Sequence, residues 1–185
     1  MRFKKARGAD AKTTAVVKAT ADEAEAMVLR RCAGELLELI GDAELEQDPL
    51  AALVGMPAGE VAPPEDPALA RLLPDAYAQD PSAATEFRRY TDADLRSGKR
   101  AAARTVLATV PEGGGQVLLD REQAAAWLGC LNDLRLVLGT RLEVTEETDL
   151  EELDPHDPRA QALHVYGWLA WLQESLLSCL SPRIG

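Results

Sequence analysis

The segment beginning at Asp157-Pro158 constrains this chain most, because it runs on into Ala162-Leu163-His164-Val165-Tyr166-Gly167-Trp168-Leu169-Ala170-Trp171-Leu172. An aspartate is a good N-cap, and a proline fits the first helical position, where no amide donor is needed. The segment therefore predicts one helix from about Arg159 to Leu180, with Pro182 and Gly185 marking its end. A helix apolar nearly all round is buried on several sides. Gln173 and Glu174 cut the apolar run short of the ~20 residues that cross a bilayer. The expectation is a soluble, mainly α domain, a helical bundle packed around this C-terminal helix, with Trp168 and Trp171 enclosed.

The bulk properties agree with that class. With 185 residues, one domain over 1–185 is the default, and a chain of this size buries ~70% of its unfolded surface. Aromatic residues are only 4%, and the abundance of Ala and Leu favours helix over sheet. The net charge of −11 repels the whole molecule from nucleic acid and anionic membranes, although a local basic patch remains compatible with it. Cys32, Cys130 and Cys179 are far apart and form no CxxC, which suits reduced thiols in the cytoplasm better than a disulfide framework. The basic N-terminus is followed by no apolar run of the kind a signal peptide carries.

Taken in order, residues 1–19 read as a β-hairpin that turns at Gly8-Ala9-Asp10 and must lie on something else to be stable. It holds six basic residues (Arg2, Lys4, Lys5, Arg7, Lys12, Lys18) against one acid. Thr20 to Glu23 spells a capping box for a first helix ending at Gly41, with Val28, Cys32, Leu36 and Leu39 expected on its core face. Residues 42–66 form an acidic, proline-rich connection, and a short helix is expected between Ala68 and Tyr77. Asp80-Pro81 starts another helix, with Phe87 and Tyr90 on its apolar side and either a break at Thr91 or continuity through Leu95. Ser97-Gly98 is another weak point, and the helix ends by Pro111. A short strand at Gln116–Leu119 could join the hairpin. Asp120 caps a strong helix bearing Trp127, Leu131, Leu134 and Leu138, with Cys130 beside that stripe and Gly139 as its natural stop. Within it, Asn132, Asp133 and Arg135 are either a buried polar network or plain surface. Residues 141–157 form an acidic loop.

The candidate working residues are basic. Lys4, Lys5 and Arg7 make one cluster. Arg96, Arg100 and Arg104, repeating every four residues, make a second, with Arg88, Arg89 and Lys99 nearby. A solvated face paired with Asp92 and Asp94 is the plainer expectation for the second cluster. A surface for phosphates or an acidic partner is the sharper one. Cys32, Cys130 and Cys179 are the possible redox groups, and Cys32 reads as a small core residue. Asp154, His156 and Asp157 lack the Cys or second His that a metal site uses, so no metal or cofactor is expected. His164 reads as a core histidine. No GxSxG, phosphate loop or Rossmann fingerprint is present, and no catalytic residue is expected.

Three strings stand out: Phe87-Arg88-Arg89-Tyr90-Thr91; Leu131-Asn132-Asp133-Leu134-Arg135-Leu136-Val137-Leu138-Gly139-Thr140-Arg141-Leu142; and Tyr166-Gly167-Trp168-Leu169. With the opening Arg2-Phe3-Lys4, they resemble an actinobacterial family of unknown function (AosR-like), some of whose members are described as oxidative-stress transcriptional regulators. The resemblance spans essentially the whole chain. It implies a cytoplasmic, non-enzymatic regulator that works through protein or DNA contacts, and it carries over no established catalytic or ligand residues. A protein-binding scaffold without DNA contact and a small-molecule sensor are the alternative expectations. A homodimer is expected if the Trp127 helix leaves apolar surface exposed.

Overall fold

A computed structural model describes residues 1–6, 16–41, 62–77, 79–150 and 156–181. In order these form β1 (Lys4–Lys5), β2 (Val17–Ala21), α1 (Glu23–Ile40), α2 (Pro67–Leu72), α3 (Pro81–Thr109), β3 (Gly115–Leu119), α4 (Arg121–Arg141) and α5 (Ala160–Leu180). The expected mainly α architecture with an N-terminal hairpin is present. The hairpin gains a third strand: the sheet order is β1-β2-β3, both pairs antiparallel, with Lys4 opposite Lys18 and Lys18 opposite Leu118. Alternation along β2 and β3 buries Val17, Ala19, Ala21, Val117 and Leu119 and leaves Lys18, Thr20, Gln116 and Leu118 facing out. The hairpin turn and most of the 42–66 connection lie outside the described residues, as do residues 151–155.

Helix α1 begins later than the sequence predicted. Ala19 and Ala21 are buried in the sheet, so β2 continues through Thr20, and Asp22 is the first residue free to cap. Its carboxylate accepts from Glu25 N–H at 2.8 Å, while the Glu25 side chain accepts from Asp22 N–H at 2.9 Å. Gly114 (φ 80°) lies against this junction. A Cβ there would meet Asp22, Ala21 and Glu23 backbone atoms at 2.8–2.9 Å, so only glycine fits. The buried stripe of α1 is Ala26, Leu29, Ala33, Leu36 and Ile40, rotated from the predicted one; Val28, Cys32 and Leu39 are half-buried. Small Ala26 and Ala33 let neighbouring elements approach closely, which a reading by side-chain size overlooks.

Helix α3 runs unbroken through Thr91 and Gly98. Helix α4 starts at the predicted Asp120 cap, with Gln123 completing a capping box, but continues past Gly139 to Arg141. Gly139 serves packing instead: a Cβ there would lie 3.3 Å from the Tyr166 ring.

The C-terminal helix α5 begins at Ala160 with Arg159 as its cap residue, and the Asp157 carboxylate accepts from Arg159 N–H at 2.7 Å, in the turn just before the helix. Its buried stripe is Leu163, Leu169, Leu172 and Leu176. Trp168 is half-buried, but Trp171 is 45% exposed, against the expectation that both are enclosed. His164 is also exposed, its ring Nδ1 2.7 Å from Ala160 O, and is no core histidine. The reason is position. Helix α5 packs on α4 and the β1–β2 side of the sheet, whereas α4 is packed by α1, α2, α3 and α5. The most enclosed aromatic is therefore Trp127 of α4, which is 0% exposed. Phe3 meets it edge-on at 5.4 Å, and its indole N–H donates to Thr109 Oγ1 at 2.8 Å.

Candidate binding surface

The second predicted basic cluster is mostly turned inward. Arg96 donates to Asp92 Oδ2 at 2.6 Å and to the Ile40 carbonyl at 2.6 Å, and Arg100 donates to the Gly41 carbonyl. Those carbonyls end α1, where backbone acceptors lack helical partners and the helix dipole is negative. Helix α1 returns the arrangement: Arg30 donates to the carbonyls of Leu107 (2.7 Å) and Val110 (2.9 Å) at the end of α3. The two helices thus cap one another with guanidinium groups. Arg88 is 8% exposed and pairs with Asp75 and, at 3.1 Å, with Thr85. Arg89 and Arg104 are exposed. Phe87 and Tyr90, predicted as the apolar side of this helix, are also exposed, with Tyr77 meeting Phe87 edge-on at 6.0 Å.

The polar string on α4 proves to be a network at two of its three positions. Asp133 is buried and accepts from Lys99 Nζ at 2.7 Å; burial pushes its carboxyl up, and the Lys99 ammonium pulls it partly back. Arg135 donates to Gln173 Oε1 at 2.6 Å and lies 5.6 Å from the Tyr166 ring centre. Asn132 is exposed.

The first basic cluster divides. Lys5 donates to the Ser181 carbonyl at 3.2 Å, beyond the end of α5, and Phe3 N–H donates to Ser175 Oγ at 3.3 Å, so β1 is fastened to α5. Arg7 lies outside the described residues. What remains is the outer face of the sheet, where Lys4 and Lys18 stand directly opposite each other. Like charges in that arrangement repel. Arg2, Lys4, Lys18, Thr20, Gln116 and Trp171 line one concave surface of ≈490 Å³. Among the described residues no acid pairs with Arg2, Lys4 or Lys18. Trp171 also borders a second depression of ≈660 Å³ between α4 and α5, with Leu128, Arg135, Glu174 and Leu177. Sequence reading missed this exposure of Trp171, although a signal existed: Leu169, Leu172 and Leu176 share a helical face, and residue 171 sits about 130° from its centre.

The thiols do not form an exposed set. Cys130 is fully buried, which together with nearby Asp133 and Cys32 pushes its thiol up to about 12. Burial also raises Cys32. Cys179 is raised by burial as well, against the pull of nearby Lys5 and Arg2. Of the acid–histidine set near residue 156, Asp154 lies outside the described residues, and Asp157, held below the usual carboxylate range, is engaged by Arg159.

The shifted groups on α4, Asp133 and Cys130, thus sit in helix–helix seams, while the two concave surfaces carry cations, amides, the Glu174 carboxylate and apolar side chains around Trp171. The fold is that of a mainly helical protein carrying a small three-stranded antiparallel sheet. The chain belongs to the DUF2017 family, a domain of unknown function whose model matches residues 2–180. It is 36% identical over 171 residues to the oxidative stress regulator AosR of Mycobacterium tuberculosis (strain ATCC 25618 / H37Rv), covering 84% of this chain and 78% of that protein. It is 37% identical, with the same coverage, to the putative oxidative stress regulator AosR of Mycobacterium leprae. No solved structure matches it. No helix among the described residues is long and apolar enough to cross a membrane.

Proposed function

We propose that this chain is a non-enzymatic, cytoplasmic regulator of the oxidative-stress response that acts by contacting a protein of the transcription machinery, not by gripping duplex DNA. The names of its relatives support the stress-response link. The choice of protein over DNA rests on one observation: Arg96 and Arg100 cap the end of α1 instead of extending the basic face of the hairpin. Duplex binders that neutralise several phosphates need a broad, continuous field of cations, and with Arg96 and Arg100 turned to α1 the described part of the sheet face offers Arg2, Lys4 and Lys18 on a molecule of net charge −11.

Two measurements test this. In a gel shift at about 50 mM salt, where phosphate contacts are strong, the chain alone leaves duplex DNA unshifted. In size-exclusion chromatography with purified RNA polymerase and its sigma factors, it co-elutes with one of them. A duplex shift that weakens steeply with salt, without any co-elution, transfers the function to DNA binding.

A further inference from the structure

Trp171 stands where two depressions of different character meet. On one side the sheet presents Arg2, Lys4 and Lys18, with Leu118 44% exposed beside Lys18. On the other, the α4–α5 groove presents Leu128 and Leu177, the latter 53% exposed. We propose that this surface, centred on Trp171, docks an acidic amphipathic segment of a partner protein, with carboxylates on Arg2, Lys4 and Lys18 and apolar side chains along Leu128 and Leu177. The proposal rests on the reading that the chain works through a protein partner, and it names the site and chemistry of that contact.

Three observations select this occupant. The first is charge complementarity. Most cations of the helical body have partners, including Arg30, Arg31, Arg88, Arg96 and Lys99, while the three on the sheet have no ion pair among the described residues. Lys4 and Lys18 repel across the strands, so an incoming carboxylate relieves a cost that the free protein carries. The second is anatomy. A large exposed indole between apolar groups, rimmed by charge, is the composition that dominates protein interfaces. The third separates protein from nucleic acid. Glu174 lines the same groove as Trp171 and Leu177, so a phosphate backbone running from the basic face past Trp171 meets a carboxylate. A peptide can place an amide or an apolar group there.

The test uses the full chain and fluorescence anisotropy. The probe is a fluorescein-labelled helical peptide of roughly five turns, about 18 residues, with Glu along one face and Leu along the other. Controls are a scrambled peptide of the same composition and a single-stranded oligo-dT. The amphipathic peptide binds, and the scrambled peptide and oligo-dT bind at least about tenfold more weakly. Trp171→Ala weakens peptide binding about tenfold, equivalent to ~1.4 kcal/mol. Lys4→Glu with Lys18→Glu does the same, and added salt weakens binding further. Tyr90→Ala, at an exposed aromatic on α3, leaves binding unchanged. If Trp171→Ala perturbs folding, as read by circular dichroism, Leu177→Asp gives the same loss from an exposed position. Absence of peptide binding at about 100 μM, equal binding of the scrambled peptide, preferential binding of oligo-dT, or indifference to Trp171→Ala and Leu177→Asp overturns the proposal. The two readings fail differently. A polymerase or sigma-factor complex insensitive to Trp171→Ala removes this surface and leaves the function. Sensitive peptide binding without any such complex removes the function and leaves the surface.

Discussion

Replacing Lys99 by methionine isolates an ion pair set between α3 and α4. Lys99 Nζ lies 2.7 Å from Asp133 Oδ1, and the side chains are 20% and 5% exposed. Methionine keeps most of the stem and removes the charge, leaving a carboxylate buried between α3 and α4. Breaking a buried pair on one side costs about 3–5 kcal/mol. Lys99 is partly open to water, so the lower part of that range, or somewhat less, applies here: ~2–3 kcal/mol. For a chain of this length that lowers Tm by about 5–10 °C. The pH dependence has a definite sign. Asp133 already has its carboxyl raised by burial, with Lys99 opposing the rise. In the folded protein it therefore binds a proton at higher pH than in the unfolded chain, and its contribution to stability falls as pH rises from the ordinary carboxylate range through the raised value. Without Lys99 that window widens upward, so the deficit of Lys99→Met is largest near neutral pH and shrinks on acidification, as Asp133 becomes neutral. Adding Asp133→Leu to Lys99→Met removes the orphaned charge and recovers most of the loss. Urea unfolding at pH 7 and pH 5 of the wild type, both single variants and the double variant measures all of this. A Lys99→Met deficit under about 0.5 kcal/mol, below the usual cost of a lost hydrogen bond, or a double variant no more stable than Lys99→Met, refutes the reasoning.

Two further predictions concern residues that the sequence offered as functional. Arg100→Ala and Arg96→Ala each destabilise the protein by about 1–2 kcal/mol, because carbonyls at the end of α1 lose charged donors; urea midpoints unchanged by both would mean that these arginines belong to an outward-facing surface after all. In alkylation by iodoacetamide at pH 7, followed by mass spectrometry, Cys179 reacts first and Cys130 only on unfolding, since Cys130 is fully buried with its thiol pushed up to about 12. Modification of Cys130 in the folded chain would contradict that burial.

The same distinction between helix-end chemistry and packing decides what could be read in advance. Asp120 and Asp80 were legible as caps, because a carboxylate beside a free amide is a local event settled within three residues. Where a neighbouring element competes, local reading loses: Thr20 looks like a cap until the sheet claims it, and Gly139 looks like a stop until Tyr166 packs on it. The basic residues show the largest gap. Their four-residue spacing on α3 was evident, but whether a guanidinium meets water, a phosphate or a carbonyl depends on what lies opposite. For Arg96 and Arg100 that is the end of a helix 56 to 59 residues earlier.

The sequence by itself determined the helical class, the N-terminal hairpin, the strong Asp120 cap and the apolar character of the C-terminal segment, since periodicity and capping are properties of neighbours along the chain. Tertiary structure alone decided that α4 is packed on more sides than α5, that Trp171 meets water beside three cations, and that Arg96 and Arg100 of α3 cap the end of α1. Those outcomes depend on which faces the helices turn toward one another, and helices with apolar residues on several sides leave that choice to packing.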